Sequence, residues 1–594
     1  MHGPSASHHR IQSFFSSLEV PQALRTLVRA RESGLIVVAA LVGLLAGLIV
    51  AAMGFGVSLL HMLFGVPLGE RLSAATRLNP VVALAVPTLG GMAFGLGLWA
   101  LMRWRPGREI DPIEANALHG GRMSPRGSLI VALQTVWSSG VGASVGLEAG
   151  YTQLASGVAS WLGQAFRLRR RDLRVLVGCG AAGAIAGAFG APLAGSFYAF
   201  ELVIASYSVV NLAPVGAAAL VGYLVASALG ETSLGLGSLY VSHVRSLDLI
   251  VSGLVGLAAA VVGILLMRGV AACETVLNEL RIRPMLRPTL GGLVVGTMAI
   301  FAPEVLSSGH GAIRISSAMS ETLSSIALLF VLKSVASIVS LGTGFRGGLF
   351  FASLLIGALG GRLFADTANM FWPAAALDPH VYAIIGMGAL SVSVIGGPLT
   401  MTFIALETTG DFWLTATVLI AIIVSAQVTR EQFGYSFATW RFHLRGEGIR
   451  SAADVGWMRE LTVRRMMRPD VRTVPAHTTL GRFRRVHPLG STGQVVAINE
   501  DKTYAGIVQV AEAHSGEYDE AMQVREILHF KDTALLPIMT VKQAVMVFDR
   551  AEAEALAVVE AADNREVIGL LTEAYALRRY SGELEQRRQD ILGE

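Results

Sequence analysis

Charge is what this chain has least of. Asp, Glu, Lys and Arg together make 15% of its 594 residues, against 53% hydrophobic. So little charge over so long a chain excludes a wholly water-soluble protein. The net charge of +4 points to no nucleic-acid partner. Cysteine is nearly absent: Cys179 and Cys273 stand far apart in apolar surroundings, with no metal-ligand spacing and no basis for a disulfide. No Gly-x-x-x-x-Gly-Lys-Ser/Thr occurs, which excludes a built-in P-loop ATPase. Nothing suggests hydrolysis or covalent chemistry, so an enzyme is not expected. Residues 1–33 are polar with arginines and carry no evident cleavable signal peptide, and Val20 to Arg31 is expected as a surface helix leading into the first span.

In place of charge there are long apolar runs. Leu35–Phe64, Val81–Met102, Val175–Phe200, Leu202–Gly230, Leu249–Met267, Ala383–Leu406 and Phe412–Thr429 contain no Asp, Glu, Lys or Arg. About 20 apolar residues cross a bilayer as a helix, so most of these runs are long enough. Thr289–Pro303 and Gly347–Gly361 read as too short to cross upright. Short, glycine-interrupted apolar segments point to broken helices around a binding site. Runs such as Gly178-Cys-Gly-Ala-Ala-Gly183 read as helix-packing faces.

Against that background, Gly142-Ala-Ser-Val-Gly-Leu-Glu148-Ala-Gly-Tyr-Thr-Gln153 stands out, because it sets one carboxylate among glycines beside apolar sequence. An ionisable group in a membrane is expensive and is by default a functional site. The glycines let backbone N–H groups face a ligand, and a helix expected over Tyr151–Phe166 points its positive end at the same spot. The combination suits a small anion, with Glu148 as a competing, protonatable anion.

A repeat runs through the apolar part. Pro192-Leu-Ala-Gly-Ser-Phe-Tyr-Ala-Phe-Glu201 matches Pro398-Leu-Thr-Met-Thr-Phe-Ile-Ala-Leu-Glu407 in Pro, Leu, Phe, Ala and Glu at an offset of 206. Each proline suits a helix start. Glu201 and Glu407 are expected to anchor helix ends or a subunit contact. Transporters are often built from such halves in inverted orientation, with the site between them.

Near residue 440 the composition changes: Arg441 to Arg472 holds eight arginines and no long apolar run. Arginine at the membrane exit predicts that the tail is cytoplasmic. The cluster Arg167–Arg174 reads as a loop charge patch and His310 as a polar loop residue. Beyond residue 460, Gly493–Ile498, Tyr504–Val508, Ala555–Val559 and Val567–Thr572 read as strands, with helices at Val541–Ala551 and from Glu573. That is a tandem α/β arrangement.

Assembled, these residues resemble the CLC family of chloride channels and proton-coupled chloride exchangers over residues 34–440. Gly146-Leu-Glu-Ala-Gly150 stands where the family has Gly-x-Glu-Gly-Pro, and Gly347-Gly-Leu-Phe-Phe-Ala352 where it has Gly-x-Phe-x-Pro. Phe189–Gly195, Phe301–Leu306, Gly397–Thr400 and Tyr435–Trp440 are further family-like pieces. The tail resembles paired CBS domains. The resemblance implies an all-α polytopic membrane domain with inverted-topology repeats and broken helices, followed by a cytoplasmic α/β tandem CBS domain. The expected divisions are an N-terminal segment 1–33, a transmembrane domain 34–440, a linker 441–460 and the CBS pair 461–594. It implies a homodimer in a bacterial-type inner membrane, with one anion path per subunit, chloride as the transported ligand and no required cofactor.

Carried over by position, Glu148 is the gate. Phe350 and Tyr435 are the pore aromatics. Backbone N–H groups around Gly146, Leu147, Ala149 and Gly150, and of Leu349, Phe350 and Phe351, are the anion donors. The family's first filter loop, Gly-Ser-Gly-x-Pro, reads here Gly107-Arg-Glu-Ile-Asp-Pro112, with Arg108 in the serine's place. The second and third filter prolines are replaced by Gly150 and Ala352. The inner glutamate common in exchangers is Leu202, which favours uncoupled conduction. The rival readings are a proton-coupled exchanger and a non-conducting sensor or scaffold with Arg108 filling the central site. In the tail, the nucleotide signature Gly-x-x-Thr/Ser-x-x-Asp is incomplete at Gly569–Tyr575 and at Gly506–Glu512, so an adenine nucleotide is the lesser expectation beside a dimerising module.

Overall fold

The computed structural model describes residues 32–75, 77–104, 109–230, 244–309, 322–434, 436, 440 and 462–579. Val20–Arg31, Arg108, His310, Tyr435 and the linker 441–460 lie outside them. The chain divides into two compact units, residues 1–453 and 454–594.

The first unit is helical. Its helices in order are α1 (Glu32–His61), α2 (Pro80–Trp104), α3 (Pro112–Leu118), α4 (Pro125–Gly140), α5 (Glu148–Ala165), α6 (Arg170–Phe189), α7 (Pro192–Tyr198), α8 (Val209–Ala228), α9 (Ser246–Glu279), α10 (Arg287–Phe301), α11 (Leu323–Gly342), α12 (Phe350–Phe371), α13 (Pro379–Ile395), α14 (Pro398–Thr409) and α15 (Phe412–Gln432). A wide π-type turn, Ala199–Ile204, continues α7. Among the described residues, eight helices are long and apolar enough to cross a membrane.

Local chemistry sets several of the boundaries. Asp111 accepts from the Glu114 N–H, Ser124 from the Gly127 N–H and Asp378 from the His380 N–H, each just before a proline that opens the helix. Exposed Val37, Leu41, Leu48 and Phe55 give α1 an apolar outer face, as a lipid-facing helix requires. On its inner face α1 packs directly against α8, because a side chain at Gly43 would collide with the Ala218 carbonyl. Fully buried Lys333 on α11 donates to the carbonyls of Val305 and Ser307, both at 2.9 Å, and so ties down the chain that follows α10.

Three apolar runs differ from their expected form. Val175–Phe200 is broken between α6 and α7, where Gly190 takes φ 68°. Ala383–Leu406 breaks in the same way between α13 and α14, where Gly396 takes φ 83°. The break comes from a left-handed residue followed, two positions on, by a proline that cannot continue the earlier helix. Conversely, from Phe350 onward Gly347–Gly361 runs into a 22-residue helix, α12, long enough to span. The helix continues through charged sequence because Arg362 and Asp366 pair one turn apart at 3.8 Å.

The second unit holds a three-stranded sheet in the order β1 (Thr473–Pro475), β2 (Gln494–Ile498), β3 (Tyr504–Gln509) and a separate hairpin pair, β4 (Ala555–Val559) with β5 (Val567–Thr572). β1 and β2 run parallel, whereas β2–β3 and β4–β5 are antiparallel. Val541–Ala551 forms a helix closed by a Thr540–Gln543 capping box.

Candidate anion pathway

The loops that precede α5 and α12 are clasped to each other. The Gly146 N–H donates to the Gly348 carbonyl at 2.9 Å, and the Gly348 N–H donates back to Gly146 at 3.1 Å. Ser138 Oγ accepts from the Arg346 N–H at 3.1 Å, while Ser340 Oγ accepts from the Ser144 N–H at 2.9 Å. These partners form a second repeat that the sequence reading missed. Ser138, Gly140, Gly142, Gly146 and Leu147 recur as Ser340, Gly342, Gly344, Gly348 and Leu349 at an offset of 202. Gly142 and Gly344 both turn the chain with positive φ, 91° and 99°. The signal was present but dilute, since most of the matches are glycines in a glycine-rich chain.

Glu148 and Phe350 occupy equivalent places in this repeat, each at the first turn of its helix. The Glu148 carboxylate crosses to the other half: Oε1 accepts from the Phe350 N–H at 2.7 Å. It therefore sits at the positive N-terminus of α12, where an anion is favoured. The residue is 5% exposed, and Oε2 has no hydrogen-bond partner among the described residues. A side chain at Gly146 or Gly348 would collide with the carboxylate, so the two glycines make room for it.

A cavity of about 190 Å³ opens beside this carboxylate. Of the predicted residues, Glu148, Ala149, Leu349 and Phe350 line it. Leu147 instead packs in the core with Val50, Met53 and Tyr151, and Phe351 stacks on Phe189 at 4.2 Å. Gly150 faces Met53 and Thr135. Arg108 and Tyr435 lie outside the described residues.

The cavity also draws in residues not singled out as ligands: Glu109, Asp111, Thr152, Gln153, Tyr198 and Arg346. The loop Gly107–Pro112 is one residue longer than Gly-Ser-Gly-x-Pro, so counting from Gly107 sets Arg108 in the serine's place and counting back from Pro112 sets Glu109 there. Tyr198 stands four residues before Leu202, which lines the cavity too. Its ring stacks near Phe350, with centroids 6.3 Å apart. Arg346 is the repeat equivalent of Ser144, so the offset was the available clue to it.

The repeat at offset 206 proves reciprocal. Glu201 accepts from the Leu399 and Thr400 N–H groups, both at 2.9 Å, at the start of α14. Glu407 accepts from the Leu193 and Ala194 N–H groups, both at 2.9 Å, at the start of α7. Each half thus supplies the anion that satisfies the other half's orphan helix N–H groups, which bears out the expectation that the two glutamates anchor helix ends.

Two halves that exchange helix caps around a shared cavity, built from helices interrupted by Gly-x-Pro breaks, define a repeat-built membrane transporter of broken helices. Residues 90–430 match the family described as voltage gated chloride channel. The "Voltage-gated ClC-type chloride channel ClcB" of Escherichia coli O17:K52:H18 (strain UMN026 / ExPEC) is 30% identical over 402 residues, covering 66% of this chain and 95% of that protein. This chain belongs to the CLC family, whose members are transporters and not enzymes. Solved structures agree in fold. A slow cyanobacterial Cl⁻/H⁺ antiporter matches with TM-score 0.60 at 21% identity, over 69% of this chain and 97% of that one. A eukaryotic CLC transporter matches with TM-score 0.55 at 18% identity, over 91% of this chain and 97% of that one.

Proposed function

We propose that this protein moves chloride, or a related small anion, across a bacterial inner membrane, through the cavity beside Glu148. The observation that carries the reading is the Glu148 carboxylate on the Phe350 N–H at 2.7 Å. A tethered anion there occupies the place that a mobile anion would take. Protonation neutralises the tether and releases it, so anion passage follows pH. The protein works as a homodimer with one path per subunit, and its CBS-like tail (461–594) lies in the cytoplasm.

Leu202 on the cavity wall carries no proton, which favours uncoupled conduction, as does the word "channel" in the curated relative's name. Exchange against protons is the second reading. Carboxylates other than Glu148 line the same cavity, and the cyanobacterial neighbour in fold is described as a Cl⁻/H⁺ antiporter.

In the tail, Glu512 is engaged within the chain. It accepts from the Tyr518 hydroxyl at 3.1 Å and pairs with the His529 ring, and this hydrogen bond, with the charge of Glu512 behind it, pushes the Tyr518 pKa up. That engagement supports a structural module over an adenine-nucleotide site.

The test is chloride efflux from proteoliposomes, with proton movement recorded in the same vesicles. Wild type is expected to pass chloride, faster at acid pH, and Glu148→Ala to pass it with a much flatter pH profile. Absence of chloride flux from both would sink the reading.

A further inference from the structure

Apart from the cavity beside Glu148, the helical unit carries a groove of about 380 Å³. Val255, Ala258 and Val262 of α9 form one wall and Phe330 of α11 the other. Gly357, Gly360 and Gly361 of α12, with Gly386 of α13, lie at its floor. The floor is backbone because α12 and α13 cross without side chains between them. A side chain at Gly357 would collide with the Gly386 carbonyl, and one at Gly361 with the Tyr382 carbonyl. The first half has no such floor. At the offset of 202, Gly357, Gly360 and Gly361 correspond to Ala155, Val158 and Ala159, and Ala155 and Ala159 are buried in its core.

The groove opens where lipid lies. Leu254, Leu257, Val261 and Leu265 on α9, and Leu328 and Val331 on α11, are exposed large apolar side chains on the two helices that wall it. In a membrane protein such faces meet lipid. Ala258, on the wall itself, is also exposed, so the groove is reachable from that side. Thr367 carries the one polar side chain among the lining residues. Water needs several polar partners and is a poor occupant, while an empty groove forfeits dispersion contacts along its lining. Hydrocarbon satisfies both conditions. From Ile356 to Phe371 the groove follows α12 for about 22 Å, at about 1.5 Å per residue. The chains of one leaflet fill about half of a hydrocarbon core about 30 Å thick, so a whole acyl chain fits.

The two ends of the groove differ. Ile356 and Leu390 close one end and are buried. At the other, Phe371 and the adjoining Trp372 are exposed. Beyond them Arg245, just before α9, donates from Nη2 to the Ala376 carbonyl at 3.0 Å. Aromatic and cationic side chains of this kind sit at the level of lipid headgroups. We propose that the groove holds one acyl chain of a membrane phospholipid, with its methyl end between Ile356 and Leu390 and its headgroup at the Phe371 end. The chain completes the packing of the second half, where three glycines leave out side chains that the first half supplies. The site depends on the membrane placement of this unit and not on the chloride reading.

The experiment is native mass spectrometry of the purified full-length protein, delipidated in detergent and titrated with dioleoyl phosphatidylglycerol. Wild type is expected to take up one lipid per protomer well before further lipids add. Ala258→Trp sets a ring into the groove and is expected to weaken that first binding about ten-fold. Leu257→Trp alters the neighbouring position, which faces lipid but does not line the groove, and is expected to bind as wild type does. Equal binding in all three proteins, or lipids that add evenly to wild type with no first site, would mean annular lipid only and would overturn the inference. A lower number of protomers per particle in Ala258→Trp would assign the groove to a second copy of this chain and would overturn it too. Should Ala258→Trp misfold, Val262→Phe is the second measurement. It narrows the groove further along α9 and is expected to weaken the first binding, and binding equal to wild type there counts against the site.

Discussion

In the first half of the membrane unit the residue after the Gly-Leu pair is Glu148, and in the second half it is Phe350. Several of the devices around them are matched. The glycines bridge reciprocally, Ser138 and Ser340 each hold the other half's loop, and Glu201 and Glu407 each cap the other half's helix. Shared backbone devices clasp the loops beside the cavity, and unmatched side chains, Glu148 against Phe350 and Arg346 against Ser144, make the two halves unlike there. The second half presents an N–H and the first half presents the carboxylate that fills it. The comparison teaches that repeat symmetry clasps the two loops together while departure from symmetry sets a single carboxylate between them.

Breaking the asymmetry should have the largest effect. Glu148→Ala removes the tethered competitor and exposes the Phe350 N–H. Hydrogen bonds to charged groups contribute about 1.5–3 kcal/mol, so chloride affinity should tighten by about 10- to 100-fold in equilibrium titration. Unchanged affinity would mean that the carboxylate and the anion do not share a site. Next come the glycine walls. Gly146→Ala or Gly348→Ala sets a methyl group into the Glu148 carboxyl, and overpacking of this kind costs about 1–3 kcal/mol, read as a lowered melting temperature. Because every atom that the new methyl would meet most closely belongs to Glu148, adding Glu148→Ala should restore most of the loss. A cycle with no coupling would place the clash elsewhere.

The helix-cap exchange sharpens the comparison from the symmetric side. Glu201→Gln and Glu407→Gln should each destabilise by about 1–2 kcal/mol. Glu201 should cost the more, since it also accepts from Thr400 Oγ1 at 2.6 Å. Equal losses would show that the extra bond adds nothing. Smallest of all, Ser138→Ala and Ser340→Ala each leave one loop N–H without its acceptor, for about 1 kcal/mol apiece. Thermal unfolding of the two variants should coincide if the halves are alike here.

Much of this was legible beforehand for identifiable reasons. Charge-free runs announced spans, because a bilayer punishes charge wherever it falls along a helix. Pro192 with Glu201, and Pro398 with Glu407, announced the repeat, because prolines and carboxylates are rare enough in apolar sequence for a coincidence to mean something. The same reasoning failed where the informative residues were common ones. Run length could not show that α6 and α13 stop short, since the stops depend on single left-handed glycines, Gly190 and Gly396, among many glycines. Nor did it show α12 continuing through Arg362 and Asp366, because an ion pair one turn apart looks like two charges until the helix is drawn.

The sequence by itself determined that this chain is a membrane protein made of two related halves, with Glu148 as an expensive carboxylate that must have a use. Hydrophobicity and residue chemistry act locally, so they can be read in one dimension. Tertiary structure alone decided what Glu148 reaches: an N–H 202 residues away, two glycine walls from opposite halves, and a cavity shared with Glu109 and Asp111. Those contacts exist because two loops are clasped backbone to backbone, and a backbone hydrogen bond leaves almost no mark on the choice of side chains.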